Sequence, residues 1–371
     1  ISQYYGAQNH ENVKKSVHTS IALSIVGGAV IMVLGIVFAE AALRAMNTPE
    51  DIIGPSLVYM RIYFLGVIPS MIYNMGAGIL RAVGDSKRPL YYLITACLVN
   101  IVLDLFFVLV LHMGVAGAAI ATILSQVVSA ILVLFALMRA TDSYKLYLKE
   151  IRFWPGILQG IIRIGLPAGL QSTMYSISNL IIQTSINSFG TDTIAAWTAY
   201  SKVDGIFWMI MGAYGVSITT FAGQNFGAGK YDRVRKSVRI CMAMAAATSV
   251  FLSIVVLAGG QFFFNLFTND ASVVSIGLTM VRTIAPSYIT YICIEILGGT
   301  ARGCGDSIIP MLLTCFGVCV LRIVWILVAV PLRPDVTTVA FSYPLTWMVT
   351  SIMFIIYYLR GNWLKRNIQR R

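Results

Sequence analysis

Ten predominantly apolar runs, set apart by short charged or turn-forming breaks, take up most of the chain. Their approximate limits are 16–39, 54–80, 89–111, 115–138, 158–188, 194–221, 234–258, 273–301, 308–330 and 337–359. A helix of about 20 such residues crosses roughly 30 Å of hydrocarbon, and every run is long enough. Within a bilayer each backbone N–H and C=O needs an internal partner, which a helix supplies and an open strand does not. The short alternating segments of a membrane β-barrel are absent from the sequence. Charged residues make up only 11% of the chain, against about a quarter in soluble domains, so no room remains for a soluble catalytic domain. The expectation is an all-α polytopic membrane protein that is not an enzyme.

The breaks alternate in charge. One set carries Lys14, Lys15, Lys87, Arg88, Arg139, Lys145, Lys149 and Arg152, then Lys230, Arg233, Arg235, Lys236 and Arg239. It ends on Arg360, Lys365, Arg366, Arg370 and Arg371. The opposite set holds Arg44 and Arg333 beside Glu40, Glu50, Asp51, Asp192, Asp270 and Asp335. The positive-inside rule assigns the basic set, and with it both chain ends, to the cytoplasm. The net charge of +12 is therefore a matter of topology rather than of a nucleic-acid partner. The six cysteines form no C-x-x-C pair, and His10, His18 and His112 are scattered, so neither a metal nor a cofactor is expected.

Residues 81–89, RAVGDSKRP, match residues 302–310, RGCGDSIIP, at an offset of 221. Residues 3–17, QYYGAQNHENVKKSV, match 224–238, QNFGAGKYDRVRKSV, at the same offset, as do Arg61 and Arg282. One register held by separate motifs indicates a duplication. Both copies keep the basic loop on the same side, so the repeats are parallel, related by an axis near the membrane normal. Counterparts of the runs at 158–188 and 194–221 would fall before residue 1. The expectation is a parent of two six-helix bundles, with helix 1 and most of helix 2 missing here. The lobes are then 1–138 and 158–371, joined by a cytoplasmic linker at 139–157.

Asp104 lies about 15 residues into its run, deep in the hydrocarbon. A carboxylate there is costly unless it is paired, protonated or bound to a cation. Asn100 is one turn earlier on the same face, and Thr122 stands on the next helix. Together they offer oxygens suited to Na⁺, or a place for a proton on Asp104. A buried Asp–Asn pair that only ties helices together is the plainer alternative. The second half keeps none of the three: Leu321, Trp325 and Tyr343 stand 221 residues on. A purely architectural element would have been retained more readily in both halves, so the asymmetry favours function.

In the second half Ser172, Ser176, Asn179, Gln183 and Asn187 form a polar stripe within about 80° of one helix face. Such a stripe faces protein or water, not lipid. The expectation is a substrate cavity lined by Ser176, Asn179 and Gln183, with Tyr291 and Glu295 from a later helix; interhelical hydrogen bonding is the alternative. Glu295 either meets a cationic substrate or relays a proton, or else neutralises Arg322 or Lys202. Lys202 and Asp204, in the outer third of one span, pair with other helices or snorkel outward and receive no role. In the Arg81 and Arg302 loops, Asp or Ser is expected to cap the next helix. Gly227-Ala228-Gly229-Lys230 lacks the spacing and the following Ser/Thr of a nucleotide-binding loop, so an ion gradient is the expected energy source.

Taken in order along the chain, these features resemble the multidrug and toxic-compound extrusion (MATE) family, in its bacterial DinF-like branch. The matching residues are Gln3-x-x-Gly6-Ala7, the Arg81/Gly84-Asp85-Ser86/Pro89 loop with its partner Arg302/Gly305-Asp306-Ser307/Pro310, and Asn100-x-x-x-Asp104. Gly117-Ala118-Ala119-x-Ala121-Thr122 and Gly165-Leu166-Pro167 belong to the same pattern, and the resemblance covers essentially the whole chain. It implies a monomer in the bacterial inner membrane that exports organic, often cationic, small molecules in exchange for Na⁺ or H⁺. It also implies that Asn100, Asp104 and Thr122 belong to an amino-lobe cation site, completed by an aspartate on helix 1. The family's other branch has a glutamate in the helix at 158–188 and an aspartate in the tenth helix, and neither is evident here. Flipping of lipid-linked sugars or cell-wall precursors is the alternative within the same superfold. Several arginines facing pyrophosphate would mark that task, and Arg322 is the strong candidate here.

Overall fold

The computed structural model describes the chain except Asn47 and residues 361–362, 365–367 and 369–371. Lys365, Arg366, Arg370 and Arg371 of the basic set thus lie outside the described residues. The first half contains Ser2–Gly6 (α1), His10–Ala45 (α2), Glu50–Leu65 (α3), Val67–Ala82 (α4), Lys87–Asp104 (α5) and Gly114–Met138 (α6). The second contains Pro155–Asn187 (α7), Thr191–Gly227 (α8), Tyr231–Asn265 (α9), Ala271–Ile284 (α10) and Tyr288–Gly303 (α11). It closes with Ile308–Thr314 (α12), Leu321–Leu332 (α13) and Val336–Arg360 (α14). No strand occurs among the described residues, and all ten apolar runs lie in helical passages. Eight passages are long and apolar enough to cross a membrane, nine if α3 and α4, bent by 43° at Gly66, count as one. The remaining passage, α7, is 33 residues long but carries the serine and amide stripe. Large apolar side chains such as Phe38, Leu98, Leu109, Leu180 and Leu327 are exposed, in keeping with helices set in lipid.

The duplication is written into the helix boundaries. At the offset of 221, α2 and α9 begin at His10 and Tyr231, α3 and α10 at Glu50 and Ala271, and α4 and α11 at Val67 and Tyr288. α5 and α12 follow at Lys87 and Ile308. The left-handed turns repeat as well: Gly84 (φ 98°) matches Gly305 (φ 95°), and Gln8 (φ 54°) matches Gly229 (φ 72°). One feature breaks register. A π-helical segment, Leu105–Val110, directly follows Asp104, whereas its relative in the second half, Cys315–Val320, ends just before α13 and Arg322. A π segment inserts one residue into a turn and re-aims the faces beside it, which is why such segments collect at functional positions.

The chain forms two compact units, Ile1–Ile161 and Ile162–Arg371. In the first, Val13, Val17, Ile21, Ile79, Leu80, Val133 and Leu137 make the core. Helices α4 and α6 meet where Gly76 faces Val133; a Cβ on Gly76 would stand 2.7 Å from Val133 Cγ2. In the second, α8 and α11 approach backbone to backbone at Gly299-x-x-x-Gly303. A Cβ on Gly299 would lie 3.1 Å from the Gly215 carbonyl, and one on Gly303 would strike the Thr219 carbonyl. Small residues at this spacing let membrane helices gain packing contact where lipid offers no hydrophobic drive. The Thr219 hydroxyl donates across the crossing to the Gly299 carbonyl at 3.0 Å. An aromatic core lies beside it: Phe207 stacks on Tyr288 at 3.9 Å, with Trp347 wholly enclosed nearby.

Residues of the expected linker pack on the first unit through His18, which is fully buried. Its Nδ1 lies 2.7 Å from the Lys14 carbonyl, which can only accept, so Nδ1 carries the proton. Its Nε2 therefore accepts from the Tyr147 backbone N–H at 3.0 Å. Lys14 reaches Glu150 at 2.7 Å, and this hydrogen-bonded ammonium holds the Glu150 carboxyl below its ordinary range. Replacing His18 with Leu removes the acceptor of the Tyr147 N–H, a loss of about 0.5–1.5 kcal/mol. Amide hydrogen exchange at Tyr147 is expected to rise severalfold in that variant; unchanged exchange would show that His18 does not hold the segment.

Candidate functional site

Asp85 sets the start of α5. Its Oδ1 accepts from the backbone N–H groups of Lys87 and Arg88, both at 3.1 Å, and its Oδ2 lies 3.0 Å from Arg88 Nε. The aspartate therefore caps the helix, while Ser86 makes no capping bond. The second copy uses its aspartate differently: Asp306 is 4% exposed and accepts from the Tyr357 hydroxyl at 2.6 Å.

Asn100 and Asp104 sit one turn apart at the end of α5. Asn100 Nδ2 and Asp104 Oδ1 are both enclosed and without a hydrogen-bond partner. No basic side chain lies within 4 Å of Asp104 among the described residues. Turning the Asn100 amide by half a turn exchanges Nδ2 for Oδ1, so this residue can present oxygen at the same place. Helix α6 packs closely here because Gly117 lacks a side chain; a Cβ would lie 3.0 Å from Phe107 Cβ in the π segment. Thr122, half-buried on α6, donates its hydroxyl to the Ala118 carbonyl at 2.9 Å and keeps its lone pairs. A carboxylate oxygen and an amide left unsatisfied in an apolar span form a donor set suited to a proton or a small hard cation.

The second unit carries a cavity of about 490 Å³. Asn179, Gln183 and Tyr291 of the expected residues line it, together with Asp204 and Arg322. Ser176 instead donates to the Ser172 carbonyl at 3.1 Å. Gln183 Nε2 also donates to Asn187 Oδ1 at 2.8 Å, so the stripe on α7 is partly self-satisfied. Glu295 lies near Arg302, 3.8 Å away, and accepts from the Tyr291 hydroxyl at 3.1 Å. Its observed basic neighbour is thus Arg302 rather than Arg322 or Lys202. Gly215 makes room for this carboxylate, because a Cβ there would land on Glu295 Oε1. Gly215→Ala is expected to expel the carboxylate and lower the melting temperature by a few degrees. The penalty should shrink in a Glu295→Ala background; an equal penalty in both backgrounds would place the cost elsewhere.

Asp204 is 7% exposed. It accepts from Trp208 Nε1 at 2.5 Å and from the Tyr288 hydroxyl at 2.6 Å. Trp208 lies one turn further along the same helix, a pairing readable from sequence, but Tyr288 arrives from α11 and only the fold reveals it. Arg322 is 2% exposed. Its Nη2 donates to Thr346 Oγ1 at 3.1 Å, and its guanidinium lies 4.0 Å from the centre of the Tyr343 ring. Its Nε is enclosed without a partner, and no carboxylate lies within 4 Å of it among the described residues. Arg322 stands in register with Ile101, three residues before Asp104, so the two units carry opposite charges about one helical turn apart in register.

The model of the family described as MatE matches residues 1–106 and 167–328. The chain is 27% identical over 381 residues to a probable multidrug resistance protein, YoeA, of Bacillus subtilis, covering 100% of this chain and 81% of that protein. It is 30% identical over 291 residues to a second B. subtilis protein of that description, YpnP, covering 78% of this chain and 64% of that one. Among solved structures, a MOP superfamily transporter from Pyrococcus furiosus shares its fold with a TM-score of 0.92 at 22% identity. That match covers 98% of this chain and 82% of the other. The duplicated register, the helical architecture and these matches agree: the chain belongs to the MatE family of membrane transporters.

Proposed function

We propose that the protein is a secondary antiporter that exports amphipathic organic compounds, cations among them, in exchange for Na⁺ or H⁺. The single observation that carries this reading is the unpartnered Asn100–Asp104 pair at the end of α5. Alternating access needs a group whose cation occupancy biases the inward- and outward-open states differently. A bare carboxylate in low dielectric is such a group, since a bound proton or cation removes its cost. The cavity in the second unit is the place for the substrate, its volume falling within the usual range for small-molecule sites. The charge pattern supports a plasma-membrane orientation with the basic loops in the cytoplasm. Asp104 and its neighbours act in exchange of cargo, with no chemical conversion of it.

The test is release from proteoliposomes loaded with matched naphthalene derivatives, one cationic, one neutral and one anionic. An opposing Na⁺ or H⁺ gradient is expected to accelerate release of at least one of them severalfold. If neither gradient accelerates any of them and the protein scrambles lipid-linked sugars, a flippase replaces the antiporter.

A further inference from the structure

The hydrogen-bonding groups of the second unit's cavity are unequally engaged. The acid, Asp204, has both carboxylate oxygens occupied by donors from Trp208 and Tyr288. The base, Arg322, has an enclosed Nε with no partner and no counter-ion within 4 Å among the described residues. A charge 98% removed from contact with solvent is tolerated only with compensation, and the Tyr343 face at 4.0 Å supplies part of it. The remainder is available to an anion that enters the cavity. Guanidinium is suited to a carboxylate or phosphate, since it offers donors in one plane. Around it, Tyr175, Tyr200, Trp197 and Trp208 give aromatic walls on which a flat ring can lie.

We propose that this cavity is a subsite for aromatic compounds bearing a carboxylate or phosphate, with Arg322 anchoring the anionic end. The assignment rests on the transporter reading and narrows its substrate class: the anchoring charge selects anions and zwitterions over simple organic cations. The position of Arg322 supports a purpose beyond packing, since the π segment Cys315–Val320 immediately precedes its helix and sets the face it presents. One arginine in about 490 Å³ suits a small solute with one anionic group; a lipid-linked pyrophosphate would require several such donors.

The experiment measures binding to the purified protein in phosphatidylcholine nanodiscs, by quenching of tryptophan fluorescence. The probes are 2-naphthoate, 2-naphthylmethanol and 2-naphthylmethylammonium. Naphthoate is expected to bind most tightly. Arg322→Gln should weaken it on the order of 10- to 100-fold, the range set by loss of a hydrogen-bonded charge, while sparing the alcohol. Arg322→Lys should retain part of the preference. If the Gln variant fails to fold, the ranking of the three probes on the unaltered protein decides alone. Ammonium binding as tight as naphthoate, or identical affinities in the Gln variant, would overturn the proposal. So would loss of naphthoate binding when phosphatidylglycerol replaces the neutral lipid, because the site would then belong to a lipid headgroup. Arg322-dependent binding without gradient-driven release would leave this site standing and remove the antiport reading.

Discussion

Asp104→Asn is expected to abolish the response of transport to an imposed Na⁺ or H⁺ gradient, a loss on the order of 100-fold in gradient-driven rate. The amide keeps the shape of the carboxyl but neither takes up a proton in its place nor balances a cation. Asp104 Oδ1 makes no hydrogen bond, so the substitution removes no structural contact at that atom. Insertion and melting temperature should therefore change little. Gradient response retained in the Asn variant would make Asp104 a structural residue and move the coupling site elsewhere. Failure of the variant to insert would show that the pair serves to tie helices together.

Gly303→Val is expected to have the largest effect on folding. Its Cβ would strike the Thr219 carbonyl and lie 3.2 Å from the Gly223 backbone nitrogen, and backbone cannot swing aside as a side-chain tip can. Overpacking costs about 1–3 kcal/mol and more where backbone is struck, a large share of the stability of a whole domain. The yield of folded protein should fall sharply, with the melting temperature of any remainder lowered. Gly212→Ala on α8, where a Cβ would meet nothing within 4 Å, is the matched control and should be neutral. Equal behaviour of the two variants would show that α8 and α11 do not depend on close approach at Gly303.

The halves and their helix starts were legible because duplication is a property of register, and register survives when side chains diverge. Asp85 at its cap was legible for a related reason: capping is local and needs only the next three residues. The bend at Gly66 and the two π segments were not, since neither leaves a distinctive residue pattern. Arg322 was visible as a charge in an apolar run, but its lack of a counter-ion is a tertiary fact. Glu295 shows the limit most clearly. Arg322 and Lys202 could be named from sequence as its partners, yet the neighbour observed is Arg302, two turns along the same helix in its last turn. In that case the i,i+7 spacing along the α11 face was in the sequence.

The most direct test of ion-coupled exchange is thermodynamic reciprocity in one preparation of the purified protein. The affinity of the tightest-binding naphthalene probe is measured with and without saturating Na⁺, and across a pH range that protonates carboxylates. Ion affinity is then measured with and without saturating probe. Antiport through Asp104 requires that one ion weaken the probe by about fivefold or more, that the probe weaken that ion by the same factor, and that both effects vanish in Asp104→Asn. Probe affinity independent of Na⁺ and pH, or a coupling that persists in the Asn variant, would contradict it.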